Sequence, residues 1–346
     1  MPTFRRAMVV EVLDERTGLQ RLRVHMPDGS EAAAYCLTGL VGKVRVGDHV
    51  VCNTTAIDLG LGTGGAHVVH WNLRRNDFVS PGPDHIMKLR YTSLQFDAGT
   101  DELNHPDIPD HLDETPVVVC SVHSQLGIVA ATIDALAPGT AVAYVMTDGA
   151  ALPIALGDLV DDLKRRGMLC GTVTAGHAFG GDLEAVTVHS ALCLARWVLE
   201  AEIVIVGMGP GVVGTGTQLG TTAIEVAPLL DAVAALGGEP VLCVRASDGD
   251  GRSRHQGVSH HTRTAASLTF SRPWVAPVPP EAADLPDVRT HMVGAPDVAR
   301  ILDERGLRIT TMGRDHRADP LFFAASGAAA AVAVDLMGGP PPTTRR

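Results

Sequence analysis

The pattern of hydrophobic and polar positions changes character near residue 116. Upstream of it, short runs of alternating apolar and polar residues are separated by tight turns such as Pro27-Asp28-Gly29. Alternation at period two with frequent turns is typical of a small β-barrel. We therefore predict a small β-domain over residues 1–75. A connecting segment over 76–115 follows, with one strand inside it at 85–91.

From residue 116 onward, continuous apolar runs alternate with helical patterns. Strands buried on both faces of a parallel sheet produce such runs, and the helices between them form crossovers. The chain therefore predicts an α/β fold: a doubly wound, mostly parallel sheet in a Rossmann-like domain over 116–337, preceded by the β-barrel-like domain and followed by a flexible tail over 338–346. The predicted strands are 117–121, 141–146, 170–174, 202–206, 240–244 and 308–311. The predicted helices are 125–136, 154–166, 183–200, 221–236, 296–305 and the buried 321–337, with an irregular insertion at 270–285.

Charge and composition narrow the class of protein. The formal charge is −11, which leaves no surplus of Lys and Arg to neutralise a phosphate backbone, so nucleic acid is not an expected partner. Acidic residues interrupt the N-terminus where a signal peptide needs an apolar core, and no long uncharged apolar run predicts a membrane span. The six cysteines are scattered without a CxxC pair, which favours buried, reduced thiols. We expect a cytoplasmic protein whose partner is a small-molecule ligand; a homo-oligomer is compatible with this composition.

Polar loops follow five of the predicted strands. In an open parallel sheet, ligands bind outside the carboxyl ends of the strands, so these loops are where a site is expected. The candidate ligand-binding residues in the first three loops are His123, Asp148 and His177.

The fourth loop is rich in glycine and precedes a helix. Its Gly209-Pro-Gly211-Val-Val-Gly214 spacing fits a dinucleotide fingerprint, but no acid ends the following strand about 20 residues on, as NAD binding requires. A bound phosphate or similar anion, an NAD site and a purely structural turn all remain open. The candidate ligand-binding residues here are Gly207, Gly209, Gly211, Gly214, Thr215, Gly216 and Thr217.

The fifth loop, residues 248–261, carries the densest set of charged and histidine side chains. Asp248 and Asp250 could hold a hard cation such as magnesium, with His260 as a third ligand, while Arg252 and Arg254 could grip a phosphate or carboxylate. The candidate catalytic residues are Asp248, Asp250, His255, His260 and His261. The rival interpretation is an ordinary solvated turn, because Asp-Gly-Asp-Gly is also a common turn sequence.

Histidines offer a second metal hypothesis. His123, His177 and His189 could join the three histidines of the fifth loop as zinc or iron ligands, although none has the spacing of a known metal motif. His189 lies in a helical pattern and is expected to be a core residue. Cys120 or Ser124 as a nucleophile lacks an identified base.

The glycine loop and the Ser259-His260-His261-Thr262 segment resemble an uncharacterised bacterial family, domain of unknown function 3866. The resemblance runs from the N-terminal strands to about residue 337. It implies a bacterial protein of this architecture and carries no activity that could be transferred.

The leading hypothesis is an enzyme, a hydrolase or transferase, that acts on a small anionic or phosphorylated metabolite, with a divalent metal as one candidate cofactor. The alternatives are a non-catalytic nucleotide or metabolite sensor and an NAD(P)-dependent oxidoreductase. On the sequence alone, replacing Asp250 or His260 by Ala should abolish activity while leaving the melting temperature nearly unchanged.

Overall fold

The computed structural model describes residues 2–61 and 64–338. The chain folds as two compact units, residues 1–99 and residues 100–346. The boundary between the two units falls inside residues 76–115, which the sequence predicts to be a connecting segment. Residues 100–115 belong to the second unit, where the amide of Asp101 bonds the Glu184 carbonyl and the amide of Leu112 bonds the Leu236 carbonyl. The predicted tail lies outside the described residues from position 339 on.

The first unit contains a closed five-stranded barrel, which confirms the predicted β-domain. Its strands follow the order β1-β2-β3-β5-β4, and every pair is antiparallel except β3 with β5. Alternate residues such as Leu22, Val24 and Cys52 point inward and are fully buried. The elements are β1 (Phe4–Arg16), β2 (Leu19–His25), β3 (Glu31–Leu37), α1 (Thr38–Val41), β4 (His49–Asn53), α2 (Thr55–Asp58), β5 (Ala66–Asn72), β6 (Met87–Lys88) and β7 (Phe96–Asp97).

The single strand predicted over 85–91 is wrong in extent. Only β6 forms there, pairing with β7 over two residues. Leu89 and Tyr91 both have positive φ, which breaks the extended backbone immediately after Lys88.

The second unit is built on an eight-stranded, all-parallel sheet, as predicted for a doubly wound α/β fold. The order is β11-β10-β9-β12-β8-β13-β16-β17, so the chain starts in the interior and winds outward in both directions. The strands are β8 (Pro116–Val119), β9 (Val142–Thr147), β10 (Gly171–Ala175), β11 (Leu183–Ala185), β12 (Ile203–Met208), β13 (Glu239–Leu242), β16 (Trp274–Val275) and β17 (Arg289–Thr290). A separate two-stranded ribbon consists of β14 (Ala246–Ser247) and β15 (Gly257–Val258).

Helices cover both faces of this sheet. Val118 and Val119 of β8 illustrate the alternation, since they belong to different hydrophobic clusters on opposite faces. One face packs against α3 (His123–Leu136), α4 (Asp158–Arg165), α8 (Val298–Arg305) and α9 (Pro320–Leu336). The other packs against α5 (Val188–Trp197), α6 (Val226–Ala235) and α7 (His260–Leu268). In the part of the chain that the structure describes, no helix is long and apolar enough to cross a membrane.

Three further predictions, all in the second unit, differ from the structure. Residues 308–311 form no strand, because Leu307 and Ile309 are buried against the helical core while their backbone joins no ladder. The helix predicted over 183–200 begins instead with the edge strand β11. The insertion at 270–285 contributes β16 to the main sheet. This strand has only two residues and lies between prolines, so the sequence pattern does not predict it.

Candidate functional site

The glycine loop after β12 and the charged loop after β13 meet in one pocket. These two strands flank β8 in the sheet. The loop after β8 enters α3 on one face, whereas the loop after β12 enters α6 on the other, and such a divergence opens a crevice at the carboxyl edge. The cavity has a volume of about 180 Å³. It is lined by Val212, Val213, Gly214, Gly216, Arg245, Arg252, Arg254, His255, His261 and Met312.

Arg245 places a buried positive charge in this pocket. It is 4% exposed, and its backbone is fixed by Thr262, whose hydroxyl accepts from the Arg245 amide at 3.1 Å. Its Nη1 lies 3.3 Å from Nδ1 of His261. No carboxylate among the described residues pairs with it within 4.0 Å; the charges of Asp250 and Asp319 act on it only from a longer distance. Burial lowers the pKa of Arg245 to about 10, so the guanidinium remains charged at neutral pH.

Arg252 is held at the pocket by Asp250. The arginine donates from Nε to Oδ1 at 2.9 Å and from Nη2 to Oδ2 at 2.8 Å. Arg314 adds a third contact from its Nη2 to Oδ2 of Asp250 at 3.2 Å. The hydrogen bonds from Arg252 hold the pKa of Asp250 below its usual range. Asp250 is therefore an ionised carboxylate whose oxygens are already engaged by protein groups.

Asp319, at the start of α9, anchors the base of the charged loop. Its Oδ2 accepts from the Ser247 hydroxyl at 2.7 Å and from Nε of Arg314 at 2.9 Å. The amides of Asp248 and Gly249 also donate to its Oδ1. Burial alone would raise the pKa of Asp319, but the hydrogen bonds from Ser247 and Arg314 keep it below its usual range. The sequence does not reveal this role, because Asp319 lies far along the chain from the loop that it supports.

His255, His260 and His261 form a tight cluster. One ring nitrogen from each lies within 4.8 Å of the others, and the ring of His260 is centred 4.2 Å from that of His261. Ser259 caps α7 by accepting from the His261 amide at 3.3 Å, so the two consecutive histidines occupy the first turn. The Ser259 hydroxyl also lies 2.8 Å from Nδ1 of His255.

The histidines of this cluster are neutral at pH 7. Burial is the largest cause, and the neighbouring Arg245 adds to it; together they lower the pKa of His255 to about 4 and that of His261 to about 3. Burial also lowers the pKa of His260. Nε2 of His260 is buried and has no hydrogen-bond partner among the residues that the structure describes.

The proposed combination of Asp248, Asp250 and His260 as metal ligands is not brought together. Asp248 is exposed, and its Oδ1 accepts from the Leu321 amide at 3.3 Å in the first turn of α9. Among the described residues, the group of possible metal ligands that does converge is the histidine cluster.

The glycines at the end of β12 and in the loop after it serve packing and loop shape. A Cβ on Gly207 would lie 2.7 Å from the Cys120 carbonyl oxygen, and one on Gly209 would lie 2.8 Å from that of Ala151. Gly211 and Gly216 have φ of 105° and 84°, which favours glycine.

The loop then folds on itself before any helix begins. The Thr215 amide donates to the Gly220 carbonyl at 2.8 Å, and the hydroxyls of Thr215 and Thr217 bond each other at 2.9 Å. Because α6 begins only at Val226, the glycines of the fingerprint do not form the turn into its N-terminus, which is where a dinucleotide phosphate binds.

His123 lies next to this pocket. It is the first residue of α3 and lines a second cavity of about 350 Å³, which shares Val212 and Met312 with the first. Both of its ring nitrogens are buried; the ring lies near the Met208 carbonyl without reaching hydrogen-bond geometry. Burial lowers the pKa of His123 to about 4.

The remaining candidates lie elsewhere on the sheet edge or away from it. Oδ2 of Asp148 accepts from the His177 amide at 2.9 Å, which ties together the loops after β9 and β10. Neither residue lines the pocket of Arg245. His189 is exposed on α5, so its assignment to the core was wrong.

Glu225 is a half-buried acid whose role the sequence does not reveal. It precedes α6, and its Oε1 accepts from the Thr147 hydroxyl at 2.8 Å. Burial raises the pKa of Glu225 to about 7, and the charge of Asp148 adds to the shift. An acid before a helix is a common capping pattern, so the sequence gives no sign of this burial.

The chain belongs to the family described as "Protein of unknown function (DUF3866)", whose model matches residues 33–330. The match confirms the resemblance noted in the sequence and spans part of the barrel and nearly all of the α/β unit. No curated protein matches the chain.

Proposed function

We propose that this protein is an enzyme that binds a small phosphorylated metabolite in the pocket between the β12 and β13 loops, and that it hydrolyses the ligand or transfers its phosphoryl group. The observation that carries the proposal is the buried Arg245 guanidinium, which faces the pocket without a carboxylate partner among the described residues. An unpaired buried charge costs on the order of several kcal/mol. An anion in the pocket removes that cost.

The neighbouring arginines strengthen the preference for a multiply charged anion. Arg252 is presented at the pocket by its ion pair with Asp250, and Arg254 reaches the same pocket without an ion-pair partner among the described residues. Guanidinium groups bind phosphate oxygens with two parallel hydrogen bonds, so a cluster of them suits phosphate better than a single carboxylate.

Histidine side chains that can take part in proton transfer lie at the same pocket. His255 and His261 line the pocket, and His260 contacts both of their rings. A neutral imidazole beside a bound phosphate ester can accept a proton from an attacking hydroxyl. This proximity favours hydrolysis or group transfer over an oxidoreductase reaction, for which the glycine loop lacks the geometry of a dinucleotide site.

The test combines phosphate calorimetry with a phosphate-release assay on a panel of phosphomonoesters. Arg254→Gln should weaken inorganic phosphate binding by about tenfold or more, the equivalent of one charge-assisted hydrogen bond. The matched control is Arg300→Gln, because Arg300 is exposed on α8 and its ion-pair partner is Glu304. Equal affinities in the two variants would contradict the proposal, and tight binding without turnover of any ester would favour the ligand-sensor alternative.

A further inference from the structure

We infer that His255, His260 and His261 bind one transition-metal ion of the zinc class. The inference deepens the proposed function, on which it rests for the identity of the neighbouring anion, and it replaces proton transfer by a free imidazole with a metal ion as the activating group. Three ring nitrogens already lie within 4.8 Å of one another. In a tetrahedral site with bonds of about 2.0–2.1 Å, ligand nitrogens are roughly 3.4 Å apart, so small side-chain rotations complete the geometry.

Two rings of the cluster each have a nitrogen that can serve as a metal ligand. Ser259 engages Nδ1 of His255 at 2.8 Å, which leaves Nε2 of that ring available. A hydrogen bond on one ring nitrogen is the usual way in which proteins orient a metal-binding histidine. Nε2 of His260 is buried without a partner, and a buried polar atom left unpaired costs about 1–3 kcal/mol. A metal bond to this nitrogen provides the missing partner.

His261 links the ion to the anion pocket. Its Nδ1 accepts from Arg245 at 3.3 Å, which places the ring proton on Nε2. Coordination through Nδ1 replaces Arg245 directly, and coordination through Nε2 moves the proton to Nδ1. Either way the hydrogen bond to Arg245 breaks, and the guanidinium is released toward the pocket. Metal binding and anion binding should therefore strengthen each other.

The ligand set also selects the metal. Three imidazoles without a carboxylate suit Zn²⁺, Co²⁺ or Ni²⁺, whereas Mg²⁺ and Ca²⁺ prefer oxygen ligands. Three protein ligands leave a fourth position for water or a phosphate oxygen, the arrangement found in catalytic zinc sites. The surrounding arginines repel a cation, so the ion should bind most tightly together with phosphate.

The experiment is a Co²⁺ titration of the metal-free, full-length protein, followed by visible absorption, with and without inorganic phosphate. We expect one equivalent of tetrahedral Co²⁺, displaced by Zn²⁺ and not by Mg²⁺, with affinity roughly tenfold tighter in phosphate, a typical coupling between two sites. His260→Gln and His255→Gln should each weaken Co²⁺ binding by about tenfold or more. His189→Gln, on the exposed face of α5, is the control and should bind as the wild type does.

Arg245→Met provides an independent check, because it removes the competitor for His261 and a repelling charge. It should bind Co²⁺ more tightly than the wild type and phosphate more weakly. Circular dichroism establishes that each variant is folded before its titration is interpreted.

Failure to bind Co²⁺ in phosphate, equal displacement by Mg²⁺, or unchanged binding in both folded histidine variants overturns the inference. Phosphate binding and turnover without Co²⁺ binding would overturn the metal site alone. Co²⁺ binding without phosphate binding would instead overturn the proposed function and leave the metal site standing.

Discussion

Asp250 and Arg252, two residues apart, form a two-point ion pair in which each carboxylate oxygen accepts from a different guanidinium nitrogen, at 2.9 and 2.8 Å. The acid is 2% exposed, whereas the arginine is exposed and lines the pocket. The pair therefore holds the arginine at the pocket while the carboxylate faces the protein. This arrangement assigns Asp250 a positioning role in the proposed site, in place of the catalytic or metal-binding role that its sequence position indicates.

Asp250→Asn should affect both binding and stability. Arg252 loses its two-point partner and Arg314 loses one contact, so phosphate affinity should fall by about tenfold and the free energy of unfolding by about 2–3 kcal/mol. Calorimetry and urea denaturation measure the two effects. This expected loss of stability differs from the sequence-based prediction that replacing Asp250 leaves the melting temperature nearly unchanged. A variant as stable as the wild type would contradict the buried network.

Asp319→Asn should destabilise the protein more than any single change in the exposed part of the loop. The carboxylate accepts from the Ser247 hydroxyl, from Arg314 and from two backbone amides, and an amide side chain cannot reproduce all of these bonds. We expect a loss of about 3–5 kcal/mol in unfolding free energy. Asp335→Asn is the control, because Asp335 is exposed and contacts His291. Similar losses in the two variants would show that Asp319 is not the anchor.

Glu225 gives a stability effect with a defined pH dependence. Its pKa is about 7 in the folded state against 4.5 in the unfolded chain, so the folded state holds the proton more tightly. The stabilising contribution is complete below pH 4.5 and is lost as the pH rises to 7. Glu225→Gln should therefore be more stable than the wild type at pH 8, by on the order of 2–3 kcal/mol, with little difference at pH 4.5.

Urea denaturation at the two pH values measures this difference directly. The nearby Asp148 contributes to the raised pKa, so Asp148→Asn should lower the pKa of Glu225 and reduce the pH dependence. An advantage of Glu225→Gln that is the same at both pH values would contradict the burial of an ionisable acid.

Gly207 in β12 and Gly251 in the charged loop should differ sharply in their tolerance of alanine. At Gly207 the new Cβ meets the Cys120 carbonyl at 2.7 Å, and a strand backbone cannot move aside easily. Gly207→Ala should cost about 1–3 kcal/mol of unfolding free energy. At Gly251 a Cβ meets nothing within 4 Å, so Gly251→Ala should be nearly neutral. Equal melting temperatures for the two variants would argue against the packing role of Gly207.

The element pattern of the α/β unit was predictable because strands buried on both faces need continuous apolar runs. The runs that became β8, β9, β10, β12 and β13 each appear in the sequence within a few residues of their observed bounds. Elements of two or three residues, such as β16 and β11, were not predictable, since so short a segment becomes a strand only when a neighbouring strand offers it backbone partners.

The location of the candidate site was predictable from the parallel sheet, but the roles of its side chains were not. The parallel sheet brings the ends of its strands to one edge, so the glycine loop and the charged loop could be expected to lie near each other. The roles of individual side chains within those loops depend on distant partners. Asp250 differs from an ordinary solvated aspartate because Arg314 and Arg252 enclose it, and the sequence contains no local sign of Arg314.

The sequence by itself determined the barrel, the doubly wound sheet and the two loops that line the pocket, because these follow from hydrophobic periodicity and from the chirality of parallel crossovers. Tertiary structure alone decided which charges are neutralised and which are not. Asp319 and Arg314 come from the far end of the chain to fix the charged loop. Among the described residues, burial leaves Arg245 with no carboxylate in ion-pair contact and His260 with an unpaired nitrogen. Electrostatic roles depend on distance and burial, and these are set only when remote segments pack together.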